Sequence, residues 1–242
     1  MLRLDKYLSE RGVASRKELR EIIRSGRVRV DGAAAVNPEQ KIDPDKAEVT
    51  LDGKRISNGR YRSFMLDKPL GVVTATEDRE EKTVLDLLPE ELKRLGLFPV
   101  GRLDKDTSGL LLLTNDGDFA HRVISPKSAV EKCYCARVEG TATAEDAEAF
   151  RRGLTLRDGT ECLPAKLEIL PDERCLVTVT EGKYHQVRRM LASRGLPVTE
   201  LRRLSIGALQ LDESLGPGGW KELSDEDLCR VFKHETLVKS SK

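Results

Sequence analysis

The sequence predicts an α+β protein in two parts: a small basic module led by helices, then a larger mixed α+β domain around a largely antiparallel sheet. Three observations carry that prediction. Beyond residue 60, strand-like segments outnumber helical ones, and the helices fall irregularly between them, which argues against a doubly wound parallel sheet. Positive charge gathers at the start: residues 1–30 hold nine Lys and Arg against four Asp and Glu, on a 242-residue chain of net charge +1. Between the two parts, Ser57-Asn58-Gly59-Arg60 is polar, contains a glycine and reads as a linker.

In the first part, residues 4–11 read as a short helix with Leu4, Tyr7 and Leu8 on one face. Ser15 and Glu18 have the spacing of a capping box, in which each side chain satisfies the other's backbone N–H. The helix it opens ends at Gly26 and turns Leu19, Ile22 and Ile23 inward. At 100° per residue, Arg16, Arg20, Arg24 and Arg27 fall in a narrow adjoining arc, with Lys17 beside them, and form a basic stripe. Arg27–Val30 alternates like a strand into an Asp31-Gly32 turn. A charge run by itself is usually a solvated helix face; the local excess of cations favours a phosphate-gripping surface.

In the second part, strands are expected at Tyr61–Leu66, Val72–Thr76, Leu110–Thr114, Val130–Val138, Leu167–Leu170, Leu176–Thr180, Leu204–Leu211 and Gly219–Leu223. Val84–Leu88 reads as a short helical piece. Helices are expected at Asp118–Ile124, Ala144–Arg152, His185–Arg194 and Asp225–Phe232, the last opened by a second capping box at Ser224 and Asp227. No apolar run approaches membrane-spanning length, and the start lacks the pattern of a secretory signal. Five cysteines without CxxC spacing argue against a disulfide framework and a zinc site, and point to a reducing cytosol.

Two segments concentrate chemistry. Gly101-Arg102-Leu103-Asp104-Lys105-Asp106-Thr107-Ser108-Gly109 runs into four leucines, so a polar loop abuts a strand buried on both faces, where a rigid scaffold can hold reactive groups. On residue types alone a solvated turn is the favoured reading. Asp104-x-Asp106-x-Ser108-Gly109 mimics the opening of a calcium loop, but Leu112 and Asn115 stand where later ligands are needed, so it is no EF-hand. The second segment, Glu181-Gly182-Lys183-Tyr184-His185-Gln186-Val187-Arg188-Arg189-Met190, leaves a strand and enters a helix, presenting three cations and an amide suited to phosphates.

Leu4-Asp5-Lys6-Tyr7-Leu8, Ser15-Arg16 and Gly26-Arg27-Val28-x-Val30-Asp31-Gly32 together resemble the S4 RNA-binding module. Five later motifs are similar to those of pseudouridine synthases, in order and over most of residues 62–223. They are Phe64-Met65-Leu66-Asp67-Lys68-Pro69-x-Gly71, Gly101-Arg102-Leu103-Asp104-x-Asp106-Thr107-x-Gly109-Leu110, Glu131-Lys132-x-Tyr134, Gly182-Lys183-x-His185-Gln186-Val187-Arg188-Arg189-Met190 and Leu204-x-x-Gly207-x-Leu209-x-Leu211. The pairing with an S4 module points to the RsuA-type group. His121-Arg122-x-x-Ser125-Pro126 before Glu131 resembles members that modify small-subunit ribosomal RNA.

The resemblance implies an S4-like domain over residues 1–58 and a catalytic domain over residues 62–242. It implies isomerisation of a uridine flipped out of 16S ribosomal RNA, at uridine 516, with no cofactor and no metal. Asp104 would be the catalytic carboxylate, Tyr134 the residue stacked under the base, and Lys183 the basic partner of Asp104. Arg102, His185, Arg188 and Arg189 would contact RNA, as would the Arg16, Lys17, Arg20, Arg24 and Arg27 stripe, and Asp106 would pin the loop. The expected partner is ribosomal RNA or a ribosomal assembly intermediate, met by a monomer in the cytoplasm away from membranes. The competing readings are the same chemistry on 23S ribosomal RNA, and a non-catalytic RNA-binding or assembly factor.

Overall fold

A computed structural model describes residues 1–11, 13–44, 46–56 and 61–233. The expected linker at residues 57–60 lies outside the described residues. The chain folds as two compact units, Met1–Arg62 with Leu85–Phe98, and Ser63–Val84 with Pro99–Lys242. The segment Leu85–Phe98 therefore joins the first unit, where Arg94 lies 3.7 Å from Glu18.

In the first unit, helices Leu4–Ser9 and Arg16–Arg24 bury Leu4, Tyr7, Leu8, Leu19 and Ile23 against Val28, Val30 and Val49. The Ser15 capping box forms: Ser15 N donates to Glu18 Oε2 at 2.9 Å, and Glu18 N to Ser15 Oγ at 3.4 Å. Strands Val28–Val30 and Ala33–Ala34 pair across Asp31 and Gly32, both at positive φ as a two-residue hairpin turn requires. Val49–Leu51 and Lys54–Arg55 complete a small antiparallel sheet.

The second unit is organised by one long sheet. Among the described residues its strands run, edge to edge, Lys166–Leu170, Arg174–Val179, Lys132–Val138, Val198–Ile206, Ser108–Thr114, Ser63–Lys68 and Trp220–Glu222. Each neighbouring pair is antiparallel except Val198–Ile206 with Ser108–Thr114, where Arg202 faces Ser108 and Arg203 faces Gly109 in parallel register. Leu110 to Leu113 have no exposed surface, so this strand is buried on both faces, as its unbroken apolar run predicts. Helices Ala144–Arg152 and Gln186–Ser193 cover one face, packing Phe150, Val187, Met190 and Leu191 onto Ala136, Val138, Val177 and Val179.

Two expected strands are corrected. Val72–Thr76 is a bent segment with a single bridge from Val73 to Thr83, because the Thr74 side chain turns to hold the backbone of Leu103. The expected Leu204–Leu211 strand begins at Val198 and breaks at Gly207 into a short return strand, Leu209–Gln210. No described helix is long and apolar enough to cross a membrane.

Candidate active site

The polar loop before the leucine strand is pinned from beneath by Lys68. This side chain is fully buried, yet its ammonium donates to the carbonyls of Pro69 at 3.0 Å, Asp104 at 3.0 Å and Thr107 at 2.9 Å. Burial lowers its pKa from 10.5 to about 8, while the Asp104 and Asp106 carboxylates pull it back up and Arg203 pushes it further down. Thr74 Oγ1 donates to the Leu103 carbonyl at 2.6 Å and accepts from Leu103 N at 3.2 Å. Gly71 N donates to the Lys105 carbonyl at 2.9 Å, and Lys105 Nζ lies 2.7 Å from Glu81. Every residue from Leu103 to Thr107 is bound through its backbone to fixed groups, Asp106 by Arg188, which leaves the Asp104 carboxylate, a third exposed, standing at the opening.

Asp106 faces outward, and Arg188 grips it: Nη2 donates to the Asp106 carbonyl at 2.9 Å and lies 3.1 Å from Oδ2, while Nη1 donates to the Val198 carbonyl. Asp106 therefore pins the loop. Arg189 is also engaged within the protein, with Asp158, Thr160 and the Tyr184 carbonyl. These two arginines act as braces in this structure; Arg102 is exposed.

The other wall is the strand–helix junction. Here the expectation for Lys183 is corrected: its ammonium lies 2.8 Å from Glu181 Oε2 and donates to the Glu161 carbonyl, instead of pairing with Asp104. The physical reason is Glu181, a nearly buried carboxylate that needs a cation and donors. Burial pushes its pKa up, but Lys183, the Leu163 N–H and Gln186 more than offset that and hold it below the usual range. The Asp104 carboxylate instead meets His185, with Nε2 3.5 Å from Oδ1.

Tyr134 is half-buried on the strand next to Val198–Ile206, directly opposite Arg203. Arg203 is a residue the sequence reading passed over. Only 4% exposed, it donates from Nε to the Leu110 carbonyl at 2.7 Å and from Nη1 to Tyr134 Oη at 3.3 Å; its guanidinium carbon lies 5.9 Å from the ring centroid. Two residues before Tyr134, Lys132 is lowered to about 8 by burial and by the Arg203 charge. A buried arginine looks in sequence like any surface arginine; its neighbour Gly109 was the available signal, since a β-carbon there would lie 2.2 Å from the Arg203 carbonyl oxygen.

The structure thus offers an aspartate on a rigid loop and a tyrosine held at its hydroxyl by a buried arginine. No group of three or more His, Cys, Asp or Glu among the described residues is placed to hold a metal ion. Of the expected RNA-contacting residues in the first unit, Arg16, Lys17, Arg20 and Arg24 are exposed along one helix, while Arg27 is paired with Asp52.

The family described as RNA pseudouridylate synthase matches residues 62–193, and the S4 domain family matches residues 2–47. The chain is 43% identical over 231 residues to the "Uncharacterized RNA pseudouridine synthase YtzG" of Bacillus subtilis, covering 94% of this chain and 97% of that protein. It is 41% identical over 239 residues to the ribosomal small subunit pseudouridine synthase A of Vibrio cholerae, covering 96% of this chain and 100% of the relative. The Escherichia coli protein of that name is 38% identical over 232 residues, covering 95% and 100%. A crystal structure of a pseudouridylate synthase, 34% identical, aligns with a TM-score of 0.67 over 96% of this chain and 100% of that one.

Proposed function

Because the chain belongs to the RNA pseudouridylate synthase family and is an RNA pseudouridine synthase, we propose that it isomerises one specific uridine of 16S ribosomal RNA, with Asp104 as its catalytic carboxylate. Relatives named for the small ribosomal subunit, 38% and 41% identical over nearly their full length, support that substrate. The observation that carries the mechanism is the Lys68-pinned loop, which fixes the backbone of Asp104 and leaves its carboxylate a third exposed beside His185.

In this reading the target uridine leaves its stack, at a cost of a few kcal/mol met by phosphate and stacking contacts. The base lies on Tyr134, whose hydroxyl accepts from Arg203 Nη1 and takes the C5 proton. Asp104 attacks sugar or base as the N1–C1′ bond breaks; the bond it made is released in turn as C5 bonds to C1′, and the proton lost from C5 is balanced by one taken up at N1. His185, whose Nε2 lies 3.5 Å from Asp104 Oδ1, stands beside the aspartate as the base excludes water. The S4 unit, proposed over residues 1–58, supplies affinity through Arg16, Lys17, Arg20 and Arg24, and residues 62–242 carry the chemistry. The protein works as a cytoplasmic monomer on ribosomal RNA or an assembly intermediate.

Carbodiimide-dependent primer extension on 16S and 23S transcripts, with wild type and Asp104→Asn, tests this. A new stop in 16S with wild type alone is the expected result. A stop in 23S replaces the substrate and keeps the chemistry, whereas a stop that persists in Asp104→Asn removes the aspartate from its role.

A further inference from the structure

Tyr184 is 76% exposed, although it sits at the mouth of a site whose other side chains are braced. Its ring lies flat on His185, with centroids 3.9 Å apart and planes 15° from parallel. The His185 Nε2 at the other end of the stack is 3.5 Å from Asp104 Oδ1. An aromatic ladder thus runs from the Asp104 carboxylate out to solvent and ends in an open tyrosine face.

The backbone that builds this ladder is strained and over-determined. His185 has φ 46° and ψ 34°, the left-handed region that side-chain-bearing residues enter at a cost and that clusters at functional sites. The turn is held in place on every side. Lys183 N donates to Gln186 Oε1 at 2.9 Å, Gln186 Nε2 donates to Glu181 Oε1 at 2.7 Å, and Arg189 Nη1 donates to the Tyr184 carbonyl at 3.3 Å. These bonds fix a geometry whose visible product is the parallel pair of rings, while Tyr184 itself buries little and contributes little to the core.

Flipping a uridine strips one face from the base beside it. Aromatic side chains replace such lost stacking for any base, because every base has a π-face. Resting on the RNA substrate proposed above, we propose that Tyr184, backed by His185, is a stacking platform for the nucleotide adjoining the target uridine. The platform reads no base identity. It stands in for the flipped neighbour and keeps the gap in the strand from closing.

The test uses the full-length protein and a 16S RNA fragment carrying the fluorescent base 2-aminopurine immediately 5′ or 3′ of the modified uridine, in separate oligonucleotides. Fluorescence and affinity are compared for wild type, Tyr184→Phe and Tyr184→Leu, each also in an Asp104→Asn background that keeps the RNA unreacted. The expected result is quenching at one of the two positions with wild type and Tyr184→Phe, its loss with Tyr184→Leu, and a rise in Kd of roughly 5- to 150-fold for Tyr184→Leu, the span of one base–aromatic stack. Identical quenching and affinity in Tyr184→Leu would overturn the platform. Pseudouridine formation in the same samples is read separately: no product with wild type defeats the substrate reading, and product with unchanged fluorescence defeats only this inference.

Discussion

Lys68 carries a charge that the fold has taken out of water and offset with three backbone carbonyls. With a pKa of about 8 in place of 10.5, it releases its proton sooner than the unfolded chain would. Between those values the unfolded state binds more protons, so this group's contribution to stability rises with pH across that window. Activity is expected to move the other way, because the neutral amine has one fewer hydrogen to donate to the loop. We predict that kcat falls as pH rises above about 8 while thermal stability does not. Lys68→Met should have low activity and no such limb. Lys132 is lowered to a similar value, so Lys132→Met is the control. A limb that survives in Lys68→Met and vanishes in Lys132→Met would assign it to Lys132.

The leucine strand, the capping boxes and the helices at Gly117–Ile124, Ala144–Arg152 and Gln186–Ser193 were legible because each is written in a local pattern of apolar spacing and cap residues. The Val72–Thr76 segment was misread for the same reason: its β-branched composition is local, but Thr74 is spent on Leu103, twenty-nine positions away. The meeting of Ser108–Thr114 with Val198–Ile206 left only Gly109 as a local trace, and it is this second strand that brings Arg203 to Tyr134. Asp104 and Tyr134 were proposed through family motifs, whereas the pairing of Lys183 with Glu181 required the fold. Gly109 marks that strand crossing. At φ 104°, with the Arg203 carbonyl 2.2 Å from a β-carbon position, Gly109→Ala must push the strands apart. We predict a loss of about 2 kcal/mol or more in unfolding free energy, together with loss of activity, by denaturant titration. A shift below about 0.5 kcal/mol would show that the crossing yields easily.

On the function proposed above, chemistry and affinity fall to separate units with different physics. The first unit offers exposed cations along one helix and the second a carboxylate a third exposed. Replacing Arg16, Arg20 and Arg24 together by Gln should therefore weaken RNA binding and lower the salt-dependence slope by about 2 to 3, given ~0.7–0.9 per phosphate contact. The turnover rate at saturating RNA should stay at the wild-type value. An unchanged salt slope would mean that this helix does not touch phosphate.

The parallel pairing of Arg202 and Arg203 with Ser108 and Gly109 joins strands more than ninety positions apart in the sequence. Such an encounter is a slow one, since a long loop must close before any contact rewards it. During translation the catalytic loop leaves the ribosome well before the arginine that steadies Tyr134 has been made. A growing chain therefore carries Asp104 before the strand that bears Arg203 exists. On the function proposed above, this order of assembly would leave the unfinished polypeptide without its braced tyrosine until its last long strand is in place.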